Sequence, residues 1–105
     1  MPVEDFLMPG EAIKYHGASD LDYGGKEYEP IVTDKRVLLY NRRGKLFKKD
    51  ELISLKIDEV QGITFHETGM IKKTGILEIS AKTKFNLSGP SKSIKAVYQQ
   101  ILQFF

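Results

Sequence analysis

Cysteine and tryptophan are absent from the 105 residues, and histidine occurs only at positions 16 and 66. A chain without cysteine can form no disulfide, no thiolate zinc site and no cysteine nucleophile. His16 and His66 show no metal-ligand spacing, and the sequence contains no nucleophile elbow, no phosphate-binding glycine loop and no paired-carboxylate motif. These absences argue against an enzyme, and we expect no catalytic residue, no metal and no cofactor.

Long apolar segments are also lacking. No uninterrupted apolar run approaches the roughly 18 residues that a membrane-spanning helix needs. The start, MPVEDFLMPGE, is acidic and interrupted by Pro2 and Pro9, which is unlike a secretory signal peptide. With 41% apolar and 29% charged residues, the composition is that of a folded domain. We therefore expect a single domain over residues 1–105, located in the cytoplasm.

Charge is unevenly distributed along the chain, although the formal net charge is only +2. Residues 1–34 contain eight acids and two bases, whereas residues 35–49 contain seven bases and no acid. Residues 50–105 are nearly balanced, with seven bases and six acids. The basic run is therefore the most prominent candidate for contact with an anionic partner.

Apolar residues alternate with a period of two over most of the chain, and this pattern predicts seven short strands. They are expected at residues 12–18, 28–33, 36–41, within 46–57, and at 62–67, 75–81 and 83–87. Residues 19–26 are predicted to form a loop and residues 41–44 a hairpin turn. After Ser88-Gly89-Pro90 the apolar spacing becomes 3, 1, 3, 1, 3, which predicts an amphipathic helix of about 15 residues. The expected fold class is mainly β with one C-terminal α-helix.

Four segments, in this order, resemble the prokaryotic pleckstrin-homology-like (PH-like) domains. They are PGEAIKY (9–15), IVTDKRVLLYNRRGK (31–45), LISLKIDEVQGITFHE (52–67) and GILEISA (75–81), and the terminal helix follows them. The resemblance implies a single PH-like domain, a seven-stranded antiparallel split barrel closed by an amphipathic helix. It also implies a binding module, because domains of this kind bind membrane lipids, bind peptides or oligomerise. The fold alone does not choose among these functions.

The TDKR segment within this resemblance is interpreted as structural. Thr33 and Asp34 can bond their own downstream backbone in a tight turn. Arg36 can lay its stem on the sheet and bond a carboxylate or a loop carbonyl.

Five bases beside the predicted hairpin turn form a candidate anion- or lipid-binding site. We call this set the basic hairpin: Arg42, Arg43, Lys45, Lys48 and Lys49. PH domains that bind phosphoinositides usually carry bases in the strand 1–2 region, but that region is acidic here: Asp20, Asp22, Glu27 and Glu29. Because strand alternation places both regions at the same end of the barrel, the alternative is that the acids neutralise the bases.

Two apolar features are candidates for membrane or partner contact. Met70 and Ile71 lie between a glycine and two lysines in a connection between strands, as in a shallow membrane wedge or a protein contact. The alternative is that both side chains pack back on the sheet. Phe104 falls off the apolar stripe of the helix, which makes it a candidate for self-association; the alternative is fraying of the chain end.

Nucleic-acid binding is a further interpretation of the basic run, with Tyr40 and Phe47 as stacking platforms. Both aromatics lie in apolar strands that suit core packing, and a sequence pI of 8.8 is only mildly basic, so we do not favour it. The predicted function is a non-catalytic binding module for a protein partner or for homo-oligomerisation. The alternative is peripheral binding to anionic membrane lipid through the basic hairpin.

Overall fold

The computed structural model describes residues 6–41 and 51–104, which form eight β-strands followed by one α-helix. The strands are β1 (Ile13–His16), β2 (Leu21–Tyr23), β3 (Lys26–Thr33), β4 (Arg36–Asn41), β5 (Glu51–Lys56), β6 (Gly62–Thr68), β7 (Thr74–Ser80) and β8 (Lys84–Pro90). A turn of 3-10 helix at Ile57–Glu59 connects β5 to β6, and the α-helix, α1, spans Ser91–Leu102. The predicted fold class, mainly β with one C-terminal helix, is confirmed.

The strands pair in the order β5-β4-β3-β2-β8-β7-β6, and β1 also pairs with β3. β3 connects the β5-β4 side of this path to the β2-β8-β7-β6 side, because its first three residues pair with β2 while residues 29–32 pair with β4. β2 carries the pairing on to β8, where Asp22 lies opposite Ser88. Within the described part of the chain β5 and β6 stand at the two ends of the path, so the sheet is bent but not closed.

The strand count differs from the prediction because β2 lies where residues 19–26 were expected to form a loop. That part of the prediction is wrong, and the described residues contain eight strands instead of seven. Leu21 is fully buried and pairs with Tyr28. Leu21, which stands between two aspartates, thus anchors this three-residue strand in the core, and Tyr23 packs beside the rings of Tyr28 and Phe85.

Other boundaries agree more closely with the sequence pattern. β4 occupies residues 36–41 as predicted, and α1 begins directly after Pro90. The helix ends at Leu102 after 12 residues, earlier than the stripe suggested. The predicted turn at residues 42–44 and the first part of the fourth predicted strand lie outside the described residues.

The core has two parts, one on each face of β3 and β4. The main part lies between the sheet and α1, which buries Ile94, Val97 and Ile101 completely. Gly75 on β7 permits this contact, because a Cβ atom there would lie 2.8 Å from the Cβ of Ile94.

A second, smaller cluster consists of Ile31, Leu38 and Tyr40, against which Leu7 and other partly buried side chains pack. Burial on both faces explains why β4 carries four consecutive apolar residues.

Candidate functional site

The basic hairpin (Arg42, Arg43, Lys45, Lys48 and Lys49) lies outside the described residues, so its role remains a prediction. The chain on either side of it adjoins the β2–β3 turn, as the strand alternation predicted. The Asn41 side-chain amide donates to the Glu27 carbonyl at 2.7 Å, and Lys26 Nζ lies 3.1 Å from Glu51 Oε2.

The aspartates expected to neutralise those bases have partners of their own. Asp20 accepts a hydrogen bond of 2.8 Å from the Ser93 hydroxyl on α1. Asp22 accepts one of 3.3 Å from the Gly25 backbone N–H. Asp20 therefore links the β1–β2 connection to the helix, and Asp22 stabilises the β2–β3 turn.

The TDKR segment forms a hydrogen-bonded clamp on the N-terminal segment, as its structural interpretation predicted. The Arg36 guanidinium donates to the Glu11 carboxylate at 2.7 and 2.9 Å, and to the Phe6 carbonyl at 2.9 Å. The Thr33 hydroxyl donates to the same carboxylate at 2.6 Å, and Asp34 accepts from the Ala12 N–H at 3.0 Å. The carboxylate partner predicted for Arg36 is therefore Glu11, which stands 25 residues earlier and gives no local signal in the sequence.

Burial and pKa identify this clamp as structural. The Glu11 side chain is 0% exposed and that of Arg36 is 12% exposed. The hydrogen bond from Arg36, supported by those from Thr33 and the Met8 N–H, lowers the pKa of Glu11 to about 2, against the opposing effect of burial. Both oxygens of this enclosed carboxylate already accept hydrogen bonds from the protein, so neither is available to bind a ligand.

The connection between β6 and β7 is the most exposed apolar feature in the described residues. We call Gly69, Met70, Ile71, Lys72 and Lys73 the tip. Met70 and Ile71 are each 98% exposed, so they do not pack back on the sheet. Gly69 has a φ of +102°, and a Cβ there would lie 2.1 Å from the Lys72 carbonyl oxygen. This glycine therefore allows the tight turn that projects the two apolar side chains into solvent.

The first two turns of α1 lie beside the tip. The Ser91 backbone N–H donates to the Lys73 carbonyl at 3.0 Å. A cleft of about 460 Å³ separates the two elements, and its lining includes Ile71, Lys73, Lys92 and Lys95. Lysines from two distant parts of the sequence thus line one cleft together with the exposed Ile71.

Glu67 is the acidic residue in the lining of this cleft. Its carboxylate accepts from the Ser91 hydroxyl at 2.8 Å, lies 3.2 Å from Lys73 Nζ and lies 3.8 Å from Lys95 Nζ. The Ser91 hydrogen bond, followed by that of Lys73, lowers the pKa of Glu67. This carboxylate therefore stays ionised between the lysines at neutral pH.

Met70 and Ile71 were predicted from the sequence, whereas Glu67, Lys92 and Lys95 were not predicted as neighbours of the tip. The helix lysines are about 20 residues from the tip in sequence and reach it because Thr74, at the start of β7, pairs with Pro90, at the end of β8.

Phe104 does not lie outside the core, and this premise of the sequence analysis is wrong. The helix ends at Leu102, and the Phe104 N–H donates to the Ile101 carbonyl at 3.1 Å in a tighter turn. The ring is thereby directed against the main core, where it is partly buried. It also lines a groove of about 480 Å³ with Met8 and Ile57, so a contact through Phe104 remains a prediction.

The described residues contain no group of three His, Cys, Asp or Glu side chains that could hold a metal ion. His16 pairs with Glu29 at 2.9 Å, and His66 is exposed. Tyr40 is 0% exposed and therefore cannot stack on a nucleic-acid base, while Phe47 lies outside the described residues.

An antiparallel sheet of this order, followed by one C-terminal helix packed on its core, defines a PH-like fold. The chain is similar in structure to a pleckstrin homology domain from Shewanella amazonensis SB2B, with a TM-score of 0.66 and 15% sequence identity over 96% of this chain and 89% of that chain. The family models searched contain no match to the chain, and neither do the curated proteins. The predicted PH-like fold is confirmed.

In the part of the chain that the structure describes, no helix has the length and apolar character needed to cross a membrane.

Proposed function

We propose that the chain is a binding module that attaches peripherally to an anionic membrane surface through the tip. The observation that carries this proposal is the complete exposure of Met70 and Ile71 beside Lys72 and Lys73. Apolar side chains that enter the interface, together with lysines that meet anionic headgroups, are the two elements of peripheral membrane binding.

The expected strength follows from those two elements. Burying a methionine or isoleucine side chain contributes about 1.5–3 kcal/mol, and shallow insertion realises only part of this. Each lysine near an anionic surface contributes about 1 kcal/mol. A total of about 6 kcal/mol corresponds to a dissociation constant of roughly tens of micromolar. This strength suits a reversible contact.

Sedimentation with vesicles tests the proposal. The protein is expected to sediment with phosphatidylcholine vesicles that contain phosphatidylglycerol, and to remain in solution with phosphatidylcholine alone. High salt should release it, since screening shortens the range of the lysine charges. Replacing Met70 and Ile71 by serine should weaken binding at least about tenfold while leaving the fold intact, because both side chains are solvent-exposed.

Two further variants act as comparisons. Met8→Ser changes an apolar residue that is 37% exposed at a different surface, and it should bind vesicles like the wild type. Arg42→Glu with Arg43→Glu tests the basic hairpin: a loss of binding in this variant, with none in the tip variant, would move the contact to the hairpin. Absence of sedimentation at low salt would contradict membrane attachment by either surface.

Self-association is the second candidate, and the groove beside Phe104 favours it. Its apolar lining includes Met8, and its charged lining consists of two acids and two bases: Asp34, Asp58, Lys35 and Lys56. Equal numbers of both signs suit a two-fold interface, in which the same patch meets itself. Light scattering should then report a mass above 12.0 kDa, and Met8→Glu should return the protein to a monomer. A wild-type monomer at high concentration would contradict this candidate.

A further inference from the structure

Glu67 opposes the charge of the surface to which it belongs. It lines the same cleft as Ile71, Lys73, Lys92 and Lys95, and it is the acidic member of that set. A carboxylate in this place reduces the attraction of the cleft for any anionic headgroup. Its role at the membrane contact therefore needs an explanation, which rests on the function proposed above.

The contacts of Glu67 engage two of the lysines directly. Oε1 lies 3.2 Å from Lys73 Nζ, and Oε2 lies 3.8 Å from Lys95 Nζ. Lys95 Nζ also lies 6.0 Å from the centroid of the Phe65 ring, and this cation–π contact favours a position of the ammonium group near Glu67. Both lysines remain accessible, with side chains 64% and 52% exposed. They can turn from Glu67 toward a phosphate without any change in the backbone.

Ser91 holds the carboxylate in place. Its hydroxyl donates to Glu67 Oε2 at 2.8 Å, and Ser91 itself is buried. The acid therefore has a fixed position between the lysines, unlike a free surface side chain that could turn away when a bilayer approaches.

We propose that Glu67 limits the affinity of the tip for anionic bilayers and so restricts docking to membranes with a high content of anionic lipid. A headgroup phosphate must compete with the Glu67 carboxylate for Lys73 and Lys95. A weakly anionic surface presents too few headgroup phosphates to the lysines to offset that competition, whereas a strongly anionic surface presents enough.

The test is the Glu67→Gln variant, measured by sedimentation with phosphatidylcholine vesicles of increasing phosphatidylglycerol content. Glutamine keeps an oxygen that can accept the Ser91 hydrogen bond but removes the charge. One elementary charge near an anionic surface corresponds to about a fivefold change in affinity. We expect Glu67→Gln to bind about fivefold more tightly, and to begin binding at a lower phosphatidylglycerol content than the wild type.

Reciprocal and control variants separate this role from a change in total charge. Lys95→Gln should weaken binding about fivefold, and the double variant with Glu67→Gln should return close to the wild type. Glu59→Gln makes the same change in net charge in the 3-10 turn that precedes β6, and the length of β6 places this turn about 20 Å from the tip. That distance exceeds the Debye length of about 8 Å at physiological salt, so Glu59→Gln should bind like the wild type.

The outcomes distinguish the inference from the function on which it rests. If the wild type binds anionic vesicles through the tip but Glu67→Gln binds equally or more weakly, the limiting role is refuted and membrane attachment stands. An equal gain in Glu59→Gln also refutes it, because the effect would then follow net charge. If the wild type fails to bind anionic vesicles at all, both proposals fall. The melting temperature of each variant is measured as a control, because a gain in binding counts only when the variant is folded.

Discussion

The ion pair between Glu11 and Arg36 should make the stability of the fold depend on pH in the acidic range. Glu11 would have a pKa of 4.5 without its neighbours, and the Arg36 guanidinium, the Thr33 hydroxyl and the Met8 N–H together lower the pKa in the folded protein to about 2. The folded state therefore releases the Glu11 proton more readily than the unfolded state. This contribution to stability is complete above pH 4.5 and is lost as the pH falls toward 2.

The size of the effect follows from the two pKa values. A pKa change of one unit corresponds to 1.36 kcal/mol, so lowering the pKa of Glu11 from 4.5 to about 2 corresponds to about 3 kcal/mol. Solvent reaches the outer edge of Arg36 and screens part of this, which leaves about 2 kcal/mol. For a domain of this size the expected change in melting temperature is roughly 10 °C.

Urea unfolding of the wild type and of Glu11→Gln, followed at several pH values between 7 and 2, measures this contribution. Glutamine preserves the shape of the side chain and removes the titration. At pH 7 the variant should be less stable by about 2 kcal/mol or more, because the Arg36 charge loses its partner. The difference between the two proteins should shrink steadily as the pH falls from about 5 to about 2. Other carboxylates, Glu67 included, titrate in both proteins and cancel in the difference.

Two results would refute the reasoning. If the unfolding free energies of the wild type and of Glu11→Gln run parallel from pH 7 to pH 2, the pKa of Glu11 is not lowered by folding. If the difference widens as the pH falls, the sign of the linkage is wrong, and Glu11 is protonated more readily in the folded state. A control variant, Glu59→Gln, makes the same change in net charge at an exposed position, so an equal effect in this variant would assign the pH dependence to net charge and not to the ion pair.

Three further substitutions test the packing of the fold and the tip. Gly75→Ala should destabilise the protein by about 1–3 kcal/mol, measured by thermal unfolding, because the new methyl group would meet Ile94; an unchanged melting temperature would contradict the close approach of β7 and α1. Gly69→Ala should distort the tip, with shifts of the amide resonances near Lys72 and weaker vesicle binding, whereas an unperturbed spectrum would show that the turn does not need a positive φ. Thr33→Val should cost about 1–3 kcal/mol in urea unfolding, since the hydroxyl of Thr33 is buried with its hydrogen-bond partners, and a loss below about 0.5 kcal/mol would contradict its role in the clamp.

The strands and the helix could be predicted from the sequence because alternation and the 3, 1, 3 spacing report directly on burial. β4 was found with both boundaries because four consecutive apolar residues between Arg36 and Asn41 indicate a central strand. β2 could not be found in this way. It contains one buried side chain, Leu21, and its neighbours are aspartates and glycines that are typical of loops. The strand depends on pairing with β3 and β8, which a local pattern does not contain.

The candidate site was predicted only in part, because local sequence patterns do not show which distant residues fold together. Met70 and Ile71 beside a glycine already suggested an exposed turn, and the structure exposes both. Lys92 and Lys95 gave no local signal, because lysines on the polar side of an amphipathic helix are ordinary. Their proximity to the tip follows from the register of β7 and β8, where Thr74 lies opposite Pro90. A contact between residues that are distant in sequence requires the topology.

The charge pattern along the sequence therefore does not show where the charges lie on the folded surface. Two carboxylates of the acidic first third bind groups of the same domain: Glu11 binds Arg36, and Asp20 binds Ser93. Residues 50–105 are nearly neutral in sequence, with seven bases and six acids. Folding places Asp58 and Glu59 at the same end of β6 as Lys56, Lys82 and Lys84, whereas Lys72 and Lys73 lie in the tip at the other end. The pairing of β7 with β8 then adds the helix lysines to those of the tip. A segment that is nearly neutral in sequence thus gathers an excess of bases around the tip, with Glu67 as the carboxylate held between two of its lysines.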